Sequence, residues 1–396
     1  MKWFSVISSQ ADFTEAMDEV EDQLESQLAG QHPDLVVIFI SPHHAESSSL
    51  APDRLCDRFG PQVIFGSTAG GVIGASRELE AEPAISVTAA VLPDVALKPF
   101  RLSPDELPAF VASPQAWSDR LGCEAIHEPS FLLLADPFSC DADGLIGSLD
   151  MAFPGCPKVG GLVSGAHTAG ENRLFLDDEV HARGAIGVAM WGDVRIDTAV
   201  AQGCRPVGRP MVITRCQRNL VFELNGRGAV RELEETLAGL SSRELELFRQ
   251  APHIGLCIDP SITEPQKGDF LVRNLIGLDS TAGVIGVGAL VEQQQVVQFH
   301  IRDASTSAED LHEVLARYRR EVQGAEPQGA LLFSCLGRGV NLYGRADHDC
   351  EVFAREVADV PVGGFFCNGE IGPIHAKTFL HGYTSAFGIF RTRGWN

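Results

Sequence analysis

The chain has 396 residues, 44% hydrophobic and 21% charged, with 53 acidic against 31 basic side chains and a formal net charge of −22. This much apolar sequence supports full cores in two or three domains of roughly 100–200 residues each and excludes wholesale disorder. So acidic a surface repels nucleic acid and anionic membrane, and without a basic patch no nucleic-acid partner is expected; no apolar run reaches the ~18 residues of a membrane span, and Met1–Ile7 turns polar at Ser8 too soon for a signal peptide.

In chain order, the first predicted element is a helix over Asp12–Leu28. Phe13, Ala16, Met17, Val20, Leu24 and Leu28 fall at helical spacing, with acids on the other face. A β-rich run follows at Leu35–Ile40, then helical Pro52–Phe59, then a strand from Val63 that ends in Gly66-Ser67-Thr68-Ala69-Gly70-Gly71. The same order recurs as Phe131–Asp136, helical Gly144–Phe153 and Pro157-Lys158-Val159-Gly160-Gly161. It recurs again as Ala330–Cys335, helical Asp347–Val357 and Val360-Pro361-Val362-Gly363-Gly364. Short apolar strands separated by one helix predict parallel pairing. Between these units, Ala84–Val91, Ala185–Trp191, Val194–Ala201 and Met211–Leu224 read as antiparallel strands.

Turn-rich Gln202–Pro210 suggests a boundary near residues 202–225, and the chain divides into halves of 1–225 and 226–396. In the second half, Gly228–Gly239 and Ser241–Gln250 read as paired helices. Asp269–Leu278, Gly283–Glu292 and Val296–Arg302 read as a meander. Ser307–Val322 reads as a helix capped by Ser307 and closed by Arg317, Arg319 and Arg320. The expected class is α/β to α+β: mixed β-sheets with helices outside, in two related lobes with internal strand–helix–strand repeats.

Two glycine-dense turns hold the densest chemistry: Ser334-Cys335-Leu336-Gly337-Arg338-Gly339, and Gly363 through Pro373 with Phe366-Cys367-Asn368-Gly369-Glu370. Glycine there allows positive φ or close approach of a ligand. Arg338 can clamp a carboxylate or a phosphate, or make an internal salt bridge to Glu370 or Asp347; Glu370 can bind an ammonium or cap backbone N–H groups in its own turn. Ser67 and Thr68 can hydrogen-bond a ligand or serve a structural turn, but no Gly-Lys-Ser/Thr follows to make a phosphate-binding loop. Ten cysteines without a Cys-x-x-Cys read as reduced, buried thiols. Cys335 or Cys367 could act as a nucleophile only with a lowered pKa and a nearby base. Asp136, Asp141 and Asp143 read as helix caps in preference to magnesium ligands, and His43-His44 as solvated loop residues.

Taken together, these motifs resemble the FIST family (F-box and intracellular signal transduction proteins). The resemblance rests on Phe65–Gly71, Val159-Gly160-Gly161, Gly184–Val188, Cys335–Gly339, and Gly364–Pro373 with His381-Gly382-Tyr383-Thr384. It covers nearly the whole chain, with a FIST N-terminal part in 1–225 and a FIST C-terminal part in 226–396. It implies a cytoplasmic sensory module that binds a small, amino-acid-like ligand, and it is not expected to be an enzyme. The ligand would be held by Ser67, Thr68, Ser334, Cys335, Gly337, Arg338, Gly339, Asn341, Phe366, Cys367, Asn368, Gly369 and Glu370. No F-box, kinase, cyclase or chemoreceptor segment is seen, so output is expected through a separate protein partner. No cofactor or metal is expected. Some relatives are linked to haem and nitric-oxide signalling, so a non-covalent haem, with His375 or His381 as axial ligand, stands as an alternative. A thiol-dependent enzyme and a ligand-free adaptor are the others.

Overall fold

The computed structural model describes residues 1–259, 262, 264–322, 324 and 326–394. Its plan is a threefold repeat. The first runs β1 (Lys2–Ser8), α1 (Phe13–Leu28), β2 (Leu35–Ile40), α2 (Ala51–Phe59), β3 (Val63–Thr68), a hairpin of β4 (Gly71–Gly74) and β5 (Arg77–Glu80), and β6 (Ile85–Val91). The second runs β7 (Val95–Leu102), α3 (Leu107–Ala112), α4 (Gln115–Leu121), β8 (Ser130–Ala135), α5 (Ala142–Ala152), β9 (Lys158–Leu162), the hairpin β10 (Leu174–Leu176) and β11 (Glu179–His181), and β12 (Ala185–Gly192).

The third repeat opens with β13 (Arg195–Gln202) and is interrupted before its helix. The inserted stretch holds β14 (Cys204–Gln217), β15 (Leu220–Leu224), β16 (Arg227–Gly228), α6 (Ala229–Ala238), α7 (Ser242–Gln250), β17 (His253–Cys257), β18 (Phe270–Asp279), β19 (Val284–Val287) and β20 (Val296–Arg302). The repeat resumes with α8 (Ala304–Glu321), β21 (Gly329–Cys335), α9 (Gly339–Tyr343), α10 (His348–Glu356), β22 (Val362–Cys367), the hairpin β23 (Glu370–Ile374) and β24 (Lys377–His381), and β25 (Thr384–Arg391).

Compactness divides this chain into two units. Unit 1 is Met1–Ala201, Leu311–Leu380 and the chain from Thr384 onward; unit 2 is Gln202–Asp310 with His381–Tyr383. Unit 1 carries three six-stranded sheets in the orders β1-β6-β2-β3-β10-β11, β7-β12-β8-β9-β23-β24 and β13-β25-β21-β22-β4-β5. Each has the expected parallel pair: β2 with β3, β8 with β9, β21 with β22. These strands are buried along almost their whole length because both faces are covered.

Each hairpin leaves its own repeat. The one after β3 joins the third sheet, the one after β9 the first, and the one after β22 the second. Phe39, Phe65, Leu132, Val159, Phe333 and Phe365, two from each sheet, share one core. Phe39 and Phe365 stack with ring centroids 4.5 Å apart.

The predicted glycine turns at Gly160-Gly161 and Gly363-Gly364 are interior to β9 and β22. Gly66, Gly160 and Gly364 occupy the same place in their repeats, opposite Ile38, Leu133 and Leu332. A Cβ on any of them would sit within 2 Å of the partner's carbonyl oxygen, at 1.9, 1.8 and 1.9 Å respectively. These glycines bring backbone close to backbone inside a sheet.

Unit 2 is built on one seven-stranded sheet, β14-β20-β17-β18-β19-β15-β16, with its own apolar core under α6 and α7. Three expectations change here. Gln202–Pro210 is largely strand, and its turn residues mark an irregularity in β14 between Val207 and Met211. The meander is broken: β18 pairs with β19, but β20 lies between β14 and β17, a buried strand too short to announce itself. Ser307 is inside α8, donating from Oγ to the Asp303 and Gly203 carbonyls, while the Asp303 carboxylate receives Ser305 N–H at the helix start.

Candidate functional site

The carboxyl ends of the parallel strands meet in unit 1. Thr68 ends β3, Leu162 ends β9, Cys335 ends β21 and Cys367 ends β22, and the segments that follow are bonded to each other. Ser164 Oγ receives Gly70 N–H at 2.9 Å and donates to the Phe366 carbonyl, so one hydroxyl joins all three repeats. Asn368 N–H donates to the Leu162 carbonyl, Leu162 N–H to Gly369, and Leu336 N–H to Cys367. Thr68 Oγ1 receives Arg173 N–H at 2.9 Å. Around this junction Gly70, Gly165, Cys335, Leu336 and Gly337 are partly exposed, and Asn341 and Asn368 are exposed.

Beneath it lies a buried polar cluster. Arg338 is 0% exposed and meets Asp349 side-on, Nε to Oδ2 at 2.9 Å and Nη2 to Oδ1 at 3.2 Å; Nη2 also donates to Tyr343 Oη at 2.6 Å. His348 Nδ1 lies 2.9 Å from Asp349 Oδ1, and the His348 ring stacks on Tyr343 with centroids 3.5 Å apart. Ser385 Oγ donates to Asp349 Oδ2. Burial alone would push the Asp349 carboxyl up, but Arg338, His348 and Ser385 more than offset it and hold it well below the carboxylate range.

From the first repeat, β5 contributes two acids. Glu78 Oε1 receives Cys350 N–H at 2.8 Å, and Glu80 Oε1 receives Val340 N–H at 2.8 Å. Burial, then the charge of Asp349, pushes the Glu78 carboxyl up from 4.5 to about 8, against the pull of its Cys350 hydrogen bond. Removing either member of a buried ion pair strands the other as an uncompensated charge, so Arg338 and Asp349 belong to the frame under the junction.

The expected residues divide by depth. Ser67, Thr68, Ser334, Arg338, Gly339, Phe366, Cys367, Gly369 and Glu370 are buried; Cys335 and Gly337 are half-buried, and Asn341 and Asn368 are exposed. The alternative of an internal salt bridge is realised, with a different partner: Asp349 on α10 instead of Glu370 or Asp347, because the helix aims Asp349 inward at the end of β21. Glu370 Oε2 receives Thr384 N–H at 3.0 Å and Thr384 Oγ1–H at 2.8 Å. Burial, then Glu370 and Cys335, holds the Cys367 thiol well above its ordinary pKa, so it is protonated and a poor nucleophile.

Elsewhere, Asp141 caps α5 by receiving Gly144 N–H, whereas Asp136 is buried and receives Asn172 and Ser139. His44 is buried edge-on to Phe13, a correction to the solvated reading, because the 3₁₀ turn Pro42–His44 turns it inward; His43 stays exposed. His375 is exposed on a turn and His381 is buried. No cluster of metal-ligating side chains occurs among the described residues. A separate groove of about 460 Å³ is lined by Lys98, Arg101, Glu106, Arg120, Asp177 and Asp178 among others, and by none of the expected residues.

Sequence reasoning missed Ser164, Glu78 and Asp349. Ser164 carried one signal, its place two residues beyond β9, matching Gly70 two residues beyond β3. Glu78 carried none, since what makes it part of the site is contact with Cys350, 272 residues away; Asp349 lies only 11 residues beyond Arg338, but nothing local marks it over Asp347 as the partner.

The FIST N domain family matches residues 34–227, and the FIST C domain family matches residues 229–373. The chain is 35% identical over 384 residues to an uncharacterized protein of Mycobacterium tuberculosis, covering 97% of this chain and 98% of that one. It is 34% identical over 379 residues to an uncharacterized protein of Mycobacterium bovis, covering 96% of each. No helix among the described residues is long and apolar enough to cross a membrane.

Proposed function

The chain belongs to the FIST family of signal-transduction domains, and we propose that it is a cytoplasmic sensor that binds a small, amino-acid-like ligand and signals through a separate protein. The observation that carries this reading is the convergence of the three strand ends at Ser164. Ligands of α/β sheets sit beyond the carboxyl ends of parallel strands, where backbone groups leave the ladder and point outward. Here Cys335, Gly337, Asn341 and Asn368 offer the accessible polar atoms. Arg338 and Glu370 act from below, holding the two segments in place and biasing the local field without reaching the surface themselves. Because the junction ties the three repeats together, a ligand that prefers one arrangement of the segments would shift the population of the whole unit.

Asn368→Trp tests this reading, since it sets a large ring beside the junction from an exposed position. Native mass spectrometry of the purified protein, with an amino-acid panel added back, should show a ligand on the natural chain and at least tenfold less on the variant, with unchanged melting. Equal binding by both would overturn the placement. No bound metabolite in either would favour an adaptor surface, and a Soret band would favour haem.

A further inference from the structure

Unit 2 holds a second polar cluster, of which the sequence motifs marked Tyr383 alone. His253 on β17 pairs with Asn274 on β18 to one side and with His300 on β20 to the other. Arg302, two residues beyond His300, faces the same side of the sheet. The Tyr383 ring lies over this row. It meets the His253 ring edge-on with centroids 4.3 Å apart, and the Arg302 guanidinium carbon is 5.1 Å from its centroid. Its hydroxyl donates to Asn274 Oδ1.

Arg302 Nε and Nη2 are buried and have no hydrogen-bond partner among the described residues. Those two N–H groups form the side-on edge with which a guanidinium grips a carboxylate. Among the described residues that edge is used by Arg54 on Glu21, Arg338 on Asp349, and Arg391 on Asp197, each with Nε on one oxygen and Nη2 on the other. A buried, charged donor pair without an acceptor is strongly unfavourable, so the same edge on Arg302 calls for an anion from outside the chain. His253 is fully buried, and neither ring nitrogen makes a hydrogen bond of good geometry. Burial, then Arg302 and His300, lowers its pKa to about 4, with the Ala251 backbone pulling weakly the other way. A neutral imidazole offers one donor and one acceptor.

We propose that Arg302, His253 and Tyr383 form a binding site in unit 2 for a small carboxylate. The carboxylate takes Nε–H and Nη2–H of Arg302 in a two-pronged contact. His253 supplies an N–H to the same ligand, and the Tyr383 ring covers its apolar part. The site stands whether or not a ligand binds at the strand junction of unit 1.

The test titrates the full-length protein with sodium acetate against sodium chloride at matched ionic strength, by calorimetry and melting temperature. Saturable binding of one acetate per chain is expected, weakened at least tenfold in Arg302→Met and also in Arg302→Lys, which keeps the charge and loses the fork. Asn368→Trp should leave it unchanged. Should Arg302→Met fail to fold, Arg302→Lys decides. Acetate acting no differently from chloride, full binding by Arg302→Lys, or inorganic phosphate binding more tightly than acetate would each overturn the assignment.

Discussion

Glu78 illustrates how a residue acquires its chemistry from surroundings that its neighbours in sequence do not supply. Its carboxyl is buried beside Asp349 and titrates at about 8 instead of 4.5. The folded protein therefore keeps a proton that the unfolded chain releases above about pH 4.5. That contribution is fully present below about pH 4.5 and is lost as pH rises through about 8, an effect on the order of 5 kcal/mol at most. Glu78→Gln cannot ionise and still offers Oε1 to Cys350 N–H. Denaturant unfolding should show its stability falling less than the natural protein's between pH 5 and 8, with the larger gap at pH 8. Parallel curves would mean that Glu78 is solvated or already ionised. In the sequence, Arg338 was legible as a residue that grips an anion, because a guanidinium between two glycines at a strand end is placed for a two-pronged contact. That the carboxylate would be Asp349 was not legible, because α10 decides which of its acids turns inward.

At the scale of elements, glycine position separates two kinds of constraint. Gly364 lies in β22 at φ 143°, and a Cβ there would stand 1.9 Å from the Leu332 carbonyl oxygen. Gly364→Ala should destabilise by about 3 kcal/mol or more, since both backbone angle and strand spacing must give. Gly147 lies in α5 with nothing within 4 Å of its ideal Cβ. Gly147→Ala should stabilise by about 0.5–1 kcal/mol through helix propensity. Chemical denaturation of the two variants tests the contrast, and similar losses from both would refute it. The parallel strands and most helices were readable because apolar runs and helical spacing are local signals. The strand glycines read as turns because sequence carries the glycine but not the carbonyl that requires it. Short β17 and the hairpins were missed for a related reason: their stability comes from the sheet they join.

Across the molecule, hairpin exchange makes the three sheets of unit 1 interdependent. β4 belongs by sequence to the first repeat but pairs with β22 in the third sheet, and Ile73 packs in the core under α8 and α10. Ile73→Ala should cost about 2–4 kcal/mol. Amide exchange should then quicken first in β21 and β22, before β2 and β3; the reverse order would contradict the exchanged topology. Sequence by itself determined the three strand–helix–strand units, the mixed α/β class, and the family, because these follow from periodicity and from motifs a few residues long. Only the tertiary structure decided that each hairpin crosses to another repeat, that Ser164 ties the three strand ends together, and that Arg338 faces inward while Arg302 keeps an open edge. Each of these depends on which distant segments share a sheet or a core, and packing chooses those partners by shape and burial at separations that local sequence does not encode.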